Sequence, residues 1–261
     1  ALMPDGQALQ AGTSHNLGQF FSKAFNIKYL DSDNTEKYPW GTSWGCTTRL
    51  IGALIMIHGD DKGLCLPPRV APIQIVIIPI LFNKNDELVL NKAREIYNNL
   101  RLNYRVYLDD RKEFTPGWKF NEWELRGVPL RIEIGPKDIE KQQLVLVPRK
   151  GNSKTFIKIQ ELNEKIAKIL DDIQKNLLKT AQKNLTDKIS DVKTIEEFKQ
   201  QLEINPGFVK VSWCESQECE NSIVTQTKTS PRCIPLLERR KGKCIICGKK
   251  TETIVYYARA Y

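Results

Sequence analysis

Two groups of residues in this sequence have the types and the spacing that binding chemistry requires. The first is the stretch from Gly45 to Asp60, in which two threonines and Arg49 precede an almost unbroken apolar run. An arginine at the start of a buried helix presents a planar, permanently charged group that suits phosphate oxygens. Thr47 and Thr48 could bond a nucleotide or cap the helix. The residues alone leave open the alternative that Arg49 pairs with a buried carboxylate.

The second group consists of four cysteines near the C-terminus: Cys214, Cys219, Cys244 and Cys247. Their C-x4-C and C-x2-C spacings allow each pair to reach one ion, and four thiolates are a typical tetrahedral zinc site. Seven cysteines, an odd number with two close pairs, favour metal ligation in a reducing compartment over a disulfide framework. Free thiols in a small α/β domain are the alternative. We expect the remaining cysteines to be core residues: Cys46, Cys65 and Cys233.

The N-terminal residues 1–68 must position the first group. The apolar run after Arg49 predicts a buried helix whose first turn faces a cavity. Pro67 and Pro68 end this unit, because proline continues neither a helix nor a central strand. The sequence begins in mid-domain at Ala1, so we expect it to be the C-terminal portion of a longer protein.

Residues 69–156 alternate between strand and helix periods in the order β-α-β-α-β-β, which predicts a small, mostly parallel sheet with helices packed on it. The predicted strands are 74–78, 104–108, 130–134 and 143–147, and the predicted helices are 87–102 and a segment from Pro116 to a stop at Gly127. Aromatic residues at helical spacing in the second helix could stack on RNA bases, but this spacing favours the core for most of them. They are Trp118, Phe120 and Trp123.

Residues 157–261 begin with apolar residues at every third or fourth position, which predict a long amphipathic helix from 159 to about 185. Its mixed outer charges favour a solvated face over membrane binding. A shorter helix is predicted over 195–202, followed by the compact end that contains the cysteine pairs.

The overall charge indicates the class of partner. The net charge is +9 with a pI of about 9.1, which favours a polyanion such as RNA or DNA. The longest apolar stretch, from Ile73 to Phe82, is too short to span a bilayer and contains Pro79. We therefore expect a cytoplasmic protein with no membrane partner.

Four stretches resemble the prolyl-tRNA synthetase family of class II aminoacyl-tRNA synthetases. Residues 42–49, TSWGCTTR, are similar to the third class II signature, and residues 10–19 resemble the strand of the amino-acid pocket. Residues 114–127 resemble the anticodon-binding domain. The ending 258–261, ARAY, is similar to the tyrosine tail of the archaeal/eukaryotic branch. The matches cover nearly the whole chain.

The resemblance implies a multi-domain protein of α/β and α+β class. Residues 1–68 would end an antiparallel-sheet catalytic domain, 69–156 would form a βαβαβ-type anticodon-binding domain, and 157–261 would form a helical connection and a small α/β C-terminal domain. In the family, this last domain binds Zn²⁺ in some members and only resembles a zinc domain in others. The Tyr261 tail would fold back towards the active site.

The implied activity is that of a proline–tRNA ligase, which activates L-proline with ATP and Mg²⁺ and transfers it to tRNA(Pro). Class II signatures one and two are absent from this sequence, so we expect the chain to be inactive alone and the homodimer contact to lie in the missing part. A non-catalytic RNA-binding module that kept the synthetase shape is the alternative. A zinc-ribbon interaction domain would explain only the last stretch.

The resemblance also implies roles for individual residues, with Arg49 holding the γ-phosphate as the catalytic arginine. The ATP-binding set is Gln10, Thr13, Thr47 and Arg49. The proline-binding set is His15, Ser43, Trp44 and Gly45. Four cations that we expect to be exposed are predicted to contact the anticodon: Arg111, Lys119, Arg131 and Lys137.

Overall fold

The computed structural model describes residues 1–81, 86–151 and 153–261, and the chain divides into two compact units. One unit combines residues 1–53 with 187–261, and the other comprises residues 54–186. Both units mix helices with strands. No helix in the described part of the chain is long and apolar enough to cross a membrane. The domain boundaries after residues 68 and 156 stay predictions.

The N-terminal part consists of two antiparallel strand pairs and two helices. The elements are β1 (Gly12–Gly18), α1 (Phe20–Ala24), β2 (Tyr29–Leu30), β3 (Glu36–Lys37), β4 (Gly41–Cys46) and α2 (Arg49–His58). β1 pairs with β4, and β2 pairs with β3. Gly18 has a φ of +56° beside an irregularity in the β1–β4 register, a conformation that glycine adopts without strain.

Helix α2 begins at Arg49, as the sequence predicts, but it is not a buried helix. Ala53 is its one buried residue. Leu50, Ile51 and Ile55 are 47%, 61% and 40% exposed. The prediction of a buried helix is wrong for the described residues, because none of them packs against these apolar side chains closely enough to bury them.

The second unit is built on a five-stranded sheet. Its elements are β5 (Ile75–Pro79), α3 (Asp86–Leu100), β6 (Val106–Leu108), α4 (Pro116–Leu125), β7 (Leu130–Ile134), α5 (Pro136–Glu140), β8 (Gln143–Pro148), β9 (Thr155–Lys158), a 3₁₀ turn (Ile159–Glu161) and α6 (Leu162–Asp187). The strand order is β6-β5-β7-β8-β9. β5 is parallel to β6 and β7, whereas β8 is antiparallel to β7 and β9.

The sheet is therefore mixed, not mostly parallel as predicted. The connection from β7 to β8 contains only the short α5 and is too short for a parallel crossover, which takes about a dozen residues or more. β5 is buried on both faces, as its unbroken apolar sequence predicts. Ile75 and Ile77 pack with α3 and α6, while Val76 and Ile78 pack with Trp123.

The C-terminal part forms a second mixed sheet with two helices. Its elements are β10 (Ile189–Asp191), α7 (Ile195–Ile204), β11 (Phe208–Ser212), α8 (Gln217–Thr227), β12 (Ser230–Cys233), β13 (Gly242–Lys243), β14 (Lys250–Thr251) and β15 (Ile254–Ala258). The four-stranded order is β10-β11-β15-β12, and β13 pairs with β14. The predicted helix over 195–202 is confirmed. Its apolar face packs on β11 and β15 through Phe198, Val209 and Tyr257.

The last residues of the chain are held by backbone hydrogen bonds to the segment before β1. Ala8 N–H donates to the carbonyl oxygen of Arg259 at 2.8 Å, and Tyr261 N–H donates to the carbonyl oxygen of Ala8 at 3.0 Å. The backbone of the tail is therefore fixed two residues before Gln10, although the Tyr261 side chain is 63% exposed.

Candidate functional site

Strands β1 and β4 bring together residues that the sequence analysis assigns to proline and ATP. Thr13 lies opposite Gly45, and His15 lies opposite Ser43. Because side chains alternate along a strand, these four residues share one face of the ladder. A Cβ atom on Gly45 would lie 3.0 Å from Thr13 Oγ1, so the two strands approach closely here.

Trp44 belongs to the other face of the same ladder, because it lies between Ser43 and Gly45 along β4. Its side chain is 81% exposed. His15 and Trp44 therefore lie on opposite faces of the ladder, and their shared role in lining the proline pocket stays a prediction.

Arg49 is the first residue of α2 and is exposed to solvent. Its backbone N–H donates to Thr47 Oγ1 at 3.3 Å, so the threonine hydroxyl caps the helix start. Within the described ranges, no carboxylate forms an ion pair with Arg49. The alternative of a buried carboxylate partner therefore finds no support, and the guanidinium is available to an anionic ligand.

A buried carboxylate organises the second group of candidate residues, in the unit of residues 54–186. Asp109 follows β6 and is 0% exposed. Its carboxylate accepts from Arg111 Nε at 2.9 Å, from Arg111 Nη2 at 2.8 Å and from Trp123 Nε1 at 2.8 Å. Burial raises the pKa of Asp109, but the hydrogen bonds from Arg111 and Trp123 outweigh it and lower the pKa to about 2. Asp109 is therefore ionised at neutral pH.

Lys119 is also part of this network, and the expectation that it is exposed is wrong. The side chain is 2% exposed. Its Nζ donates to the carbonyl oxygen of Asp109 at 3.0 Å and lies 3.5 Å from the Asp109 carboxylate. Lys119 faces inwards because it lies one turn of α4 before the buried Trp123.

Arg111 lies against a pair of stacked aromatic rings. The rings of Phe114 and Trp118 have centroids 3.9 Å apart at an interplanar angle of 12°. The Arg111 guanidinium lies 4.8 Å from the first centroid and 5.4 Å from the second. Arg111, Phe114 and Lys119 line a cleft of about 420 Å³. The Trp118 side chain is 44% exposed.

The other two predicted anticodon residues differ in accessibility. Arg131 is 16% exposed, donates to Glu133 from Nε and Nη2, and lies over the Phe120 ring at 4.3 Å. Lys137, in the short helix α5, is exposed. Among these four cations, only Lys137 both faces water and has no ion-pair partner within the described residues.

The four predicted metal ligands lie together in the C-terminal unit. The Sγ atoms of Cys214, Cys219, Cys244 and Cys247 are all within 4.8 Å of one another. Burial raises the pKa of Cys244, but backbone N–H groups of Cys247 and Ile246 donate to its sulfur and lower the pKa to about 7. Burial and the neighbouring thiols raise the pKa of Cys219 to about 12. Four clustered sulfurs, one of them with a lowered pKa, are a donor set that fits Zn²⁺.

The three remaining cysteines are not uniformly buried as expected. Cys65 is buried, and its Sγ contacts the Asp60 carboxylate at 3.7 Å. Cys46 and Cys233 are exposed. Cys46 ends a strand whose residues are largely open to solvent, and Cys233 ends the edge strand β12, so neither position has a covering layer.

The structure also shows an ion pair that the sequence analysis misses. Arg149 is 4% exposed and binds Asp60 with both guanidinium nitrogens, and its Nε donates to the carbonyl oxygen of Glu124 at 2.8 Å. The Arg149 hydrogen bonds lower the pKa of Asp60 to about 2. The pair cannot be read from the sequence, because 89 residues separate the partners and no local pattern links them.

Comparisons with known proteins agree with this geometry. A family model described as an anticodon binding domain matches residues 74–169, and one described as prolyl-tRNA synthetase, C-terminal, matches residues 195–261. The proline–tRNA ligase of Natranaerobius thermophilus is 51% identical over 263 positions, and that of Alkaliphilus oremlandii is 50% identical over 262. The alignments cover 100% of this chain and 54% of each relative. The chain thus spans about half the length of the curated relatives it matches.

An anticodon-binding domain followed by a C-terminal synthetase domain defines a portion of a class II aminoacyl-tRNA synthetase. The sequence identity of 50–51% with two proline–tRNA ligases, over the whole chain, identifies the family within this class. The chain belongs to the prolyl-tRNA synthetase family and corresponds to its C-terminal portion. The archaeal/eukaryotic branch stays a prediction.

Proposed function

We propose that the protein containing this chain is a proline–tRNA ligase, which activates L-proline with ATP and transfers it to tRNA(Pro). The proposal is carried by the 51% identity with a proline–tRNA ligase along the entire chain. The remaining half of the enzyme would supply the other substrate contacts and the surface of a homodimer.

Arg49 is proposed to hold the γ-phosphate of ATP. The exposed guanidinium at the start of α2 supports this role, since it is free of any carboxylate partner in the described part of the chain. Thr47 would contact the nucleotide beside it, with Gln10 and Thr13 at the edge of the same site. Bound Mg²⁺ would neutralise phosphate charge, while this chain's residues align the substrates.

The shared face of β1 and β4 is proposed to border the proline pocket. His15 and Thr13 on β1, with Ser43 and Gly45 on β4, offer polar groups and a small residue where a ligand can approach the backbone. Trp44 would contribute from the opposite face of the ladder.

The anticodon of tRNA(Pro) is proposed to bind at the Phe114–Trp118 aromatic stack and its cleft. Unpaired RNA bases are commonly recognised by stacking on aromatic side chains together with hydrogen bonds to base edges. Arg111 and Arg131 retain partial exposure for such contacts, and Lys137 offers an unpaired charge. Lys119 would act by fixing the backbone at Asp109, since its ammonium group is buried.

The four clustered cysteines are proposed to bind a structural Zn²⁺ ion. Such an ion would tie the loop before α8 and the first turn of α8 to the segment between β13 and β14, with no open position for catalysis. The domain limits proposed here are residues 1–68, 69–156 and 157–261.

ATP–pyrophosphate exchange on the full-length protein, with each amino acid in turn, tests the ligase. We expect exchange that depends on proline and is abolished by Arg49→Ala, with Arg94→Ala as an exposed arginine control of the same charge change. Exchange that depends on another amino acid, or none at all despite tRNA binding, would contradict the proposal. The second outcome would support the non-catalytic RNA-binding module.

A further inference from the structure

The distal half of α6 has a charge pattern that neither the anticodon site nor the active-site residues explain. Residues 173–186 contain three lysines and no acidic residue. Lys175, Lys179 and Lys183 follow one another at four-residue intervals, which places them along one face of the helix. With a rise of about 1.5 Å per residue, their Cα atoms span about 12 Å along the axis.

This lysine face points away from the core of the unit. All three lysines are exposed, whereas Leu177, about 200° around the helix from Lys175, is buried. The inner face of α6 is held by Leu162, Ile166 and Leu170, which belong to the main core. The orientation of the lysines towards solvent is therefore fixed by packing on the opposite side.

A fourth cation extends the same surface from another segment. The backbone N–H of Arg69 donates to Gln174 Oε1 at 3.1 Å, which places Arg69 beside Lys175. Arg69 is exposed. Across the described ranges, Arg69, Lys179 and Lys183 form no ion pair. Lys175 pairs with Asp171, but the two side chains are 72% and 45% exposed, and an ion pair in water contributes less than about 1 kcal/mol, so another anion can replace Asp171.

We propose that Arg69, Lys175, Lys179 and Lys183, termed here the basic strip, bind the sugar–phosphate backbone of tRNA. This inference rests on the proposed function, because it takes tRNA as the partner. A row of exposed cations, of which only Lys175 has an ion-pair partner among the described residues, complements a row of phosphates, which carry no sequence information. The strip would therefore add affinity and orientation without sequence selectivity.

A membrane surface is the other anionic partner that a basic helix could suit. Membrane-binding helices insert a broad apolar face, whereas the first half of α6 packs its apolar residues into the core of its own unit and Leu177, between the strip lysines, is buried. The exposed apolar residues near the strip are only Leu178 and Leu185 among those described in α6. RNA is the partner that these observations favour.

The experiment measures tRNA(Pro) binding to the full-length protein as a function of salt between about 50 and 200 mM. The test variant is Lys175→Gln, Lys179→Gln and Lys183→Gln together. The control variant is Lys158→Gln, Lys165→Gln and Lys168→Gln, which removes the same charge from the acid-rich beginning of α6 and the strand before it. A tRNA(Pro) with a changed anticodon is measured in parallel.

We expect the test variant to lower the slope of log K against log salt by about 2 to 3, at roughly 0.7–0.9 per lost phosphate contact. The control should change it by less than about 1. The preference for the natural anticodon should be unchanged in both. Equal slopes for the test and control variants would overturn the inference. Binding of both variants to phosphatidylserine vesicles is measured as well. If the test variant lost binding to the vesicles but kept its binding to tRNA, the partner would be a membrane surface and the inference would also be wrong.

Different results would contradict the ligase assignment and the tRNA contact of the basic strip. If the wild-type protein charges tRNA(Pro) with proline and the strip variants match the controls, only the basic strip is wrong. If the wild-type protein neither exchanges with proline nor binds tRNA(Pro), the ligase assignment is wrong, and the strip falls with it.

Discussion

Asp109→Asn is the substitution that most directly tests how the anticodon-type site is organised. The change keeps the size of the side chain but removes its charge. One amide oxygen can still accept from Trp123 Nε1 and Arg111 Nη2. The new NH₂ group then faces Arg111 Nε, which donates to the carboxylate at 2.9 Å, and Lys119 Nζ, which lies 3.5 Å away.

The expected loss of local stability can be estimated from these contacts. A hydrogen bond to a charged group contributes about 1.5–3 kcal/mol, and breaking a buried ion pair costs about 3–5 kcal/mol. Arg111 is 28% exposed and keeps its contact with Glu122, and Lys119 keeps the Asp109 carbonyl at 3.0 Å. We therefore expect the variant to lose about 3 kcal/mol of local stability, at the lower end of the buried-pair range.

Hydrogen exchange of the α4 amides, followed by mass spectrometry, measures this loss. A cost of about 3 kcal/mol corresponds to roughly a hundredfold faster exchange through local opening. Asp110→Asn is the matched control, because its carboxylate is 45% exposed and lies 3.6 Å from Arg94, a pair that contributes less than about 1 kcal/mol. Equal exchange in the two variants would refute the central role of Asp109.

The pH dependence gives an independent check. The pKa of Asp109 in the folded protein is about 2, below its value in the unfolded chain of about 3.9. A lowered pKa means that the stabilisation is present above about pH 4 and is lost as the pH falls towards 2. Asp109→Asn should remove this part of the acid sensitivity of α4, and Asp110→Asn should leave it in place.

Two further predictions concern the ion pair at Arg149 and the cysteine cluster. Asp60→Ala should lower the free energy of unfolding by about 3 kcal/mol, because it leaves a buried arginine without its anion. Arg149→Met should lower it by only about 1–2 kcal/mol, because Asp60 is 38% exposed and can be hydrated. A larger loss for Arg149→Met than for Asp60→Ala in urea unfolding would contradict this prediction. Saturating Zn²⁺ should raise the stability of the C-terminal unit by about 2.7 kcal/mol at a hundredfold excess over Kd. Cys219→Ser should abolish the gain, and Cys233→Ser should not; a chelator without effect on the melting temperature would exclude the metal.

The sequence predicts elements well where one local period dominates. The long helix, the buried β5 strand and the helix from Pro116 are all found, because periodicity and caps are local properties. Thr115, for example, accepts from Trp118 N–H at 3.3 Å as an N-cap. The strand β9 and the direction of β8 are missed, since they depend on which edges meet in space.

The candidate residues show the same limit. The cysteine spacing predicts the cluster correctly, because each pair is close along the chain. Burial is predicted wrongly in both directions. Lys119 is expected to be exposed but is buried beside Asp109, ten residues away, and α2 is expected to be buried but its apolar residues find no cover within the described part of the chain. The Asp60–Arg149 pair has no sequence signal at all.

Charge neutralisation separates the two proposed RNA contacts of the unit formed by residues 54–186. Arg111 is neutralised by Asp109 and Glu122, and Arg131 by Glu133, so the aromatic site carries little unpaired charge. Such a site can discriminate between bases, but it releases few counterions from RNA. The basic strip has the opposite character, because among the described residues only Lys175 of its four cations has an ion-pair partner. Substitution of Trp118 should therefore lower the preference for the natural anticodon and leave the salt dependence of tRNA binding unchanged. Substitution of the strip lysines should lower the salt dependence and leave the anticodon preference unchanged.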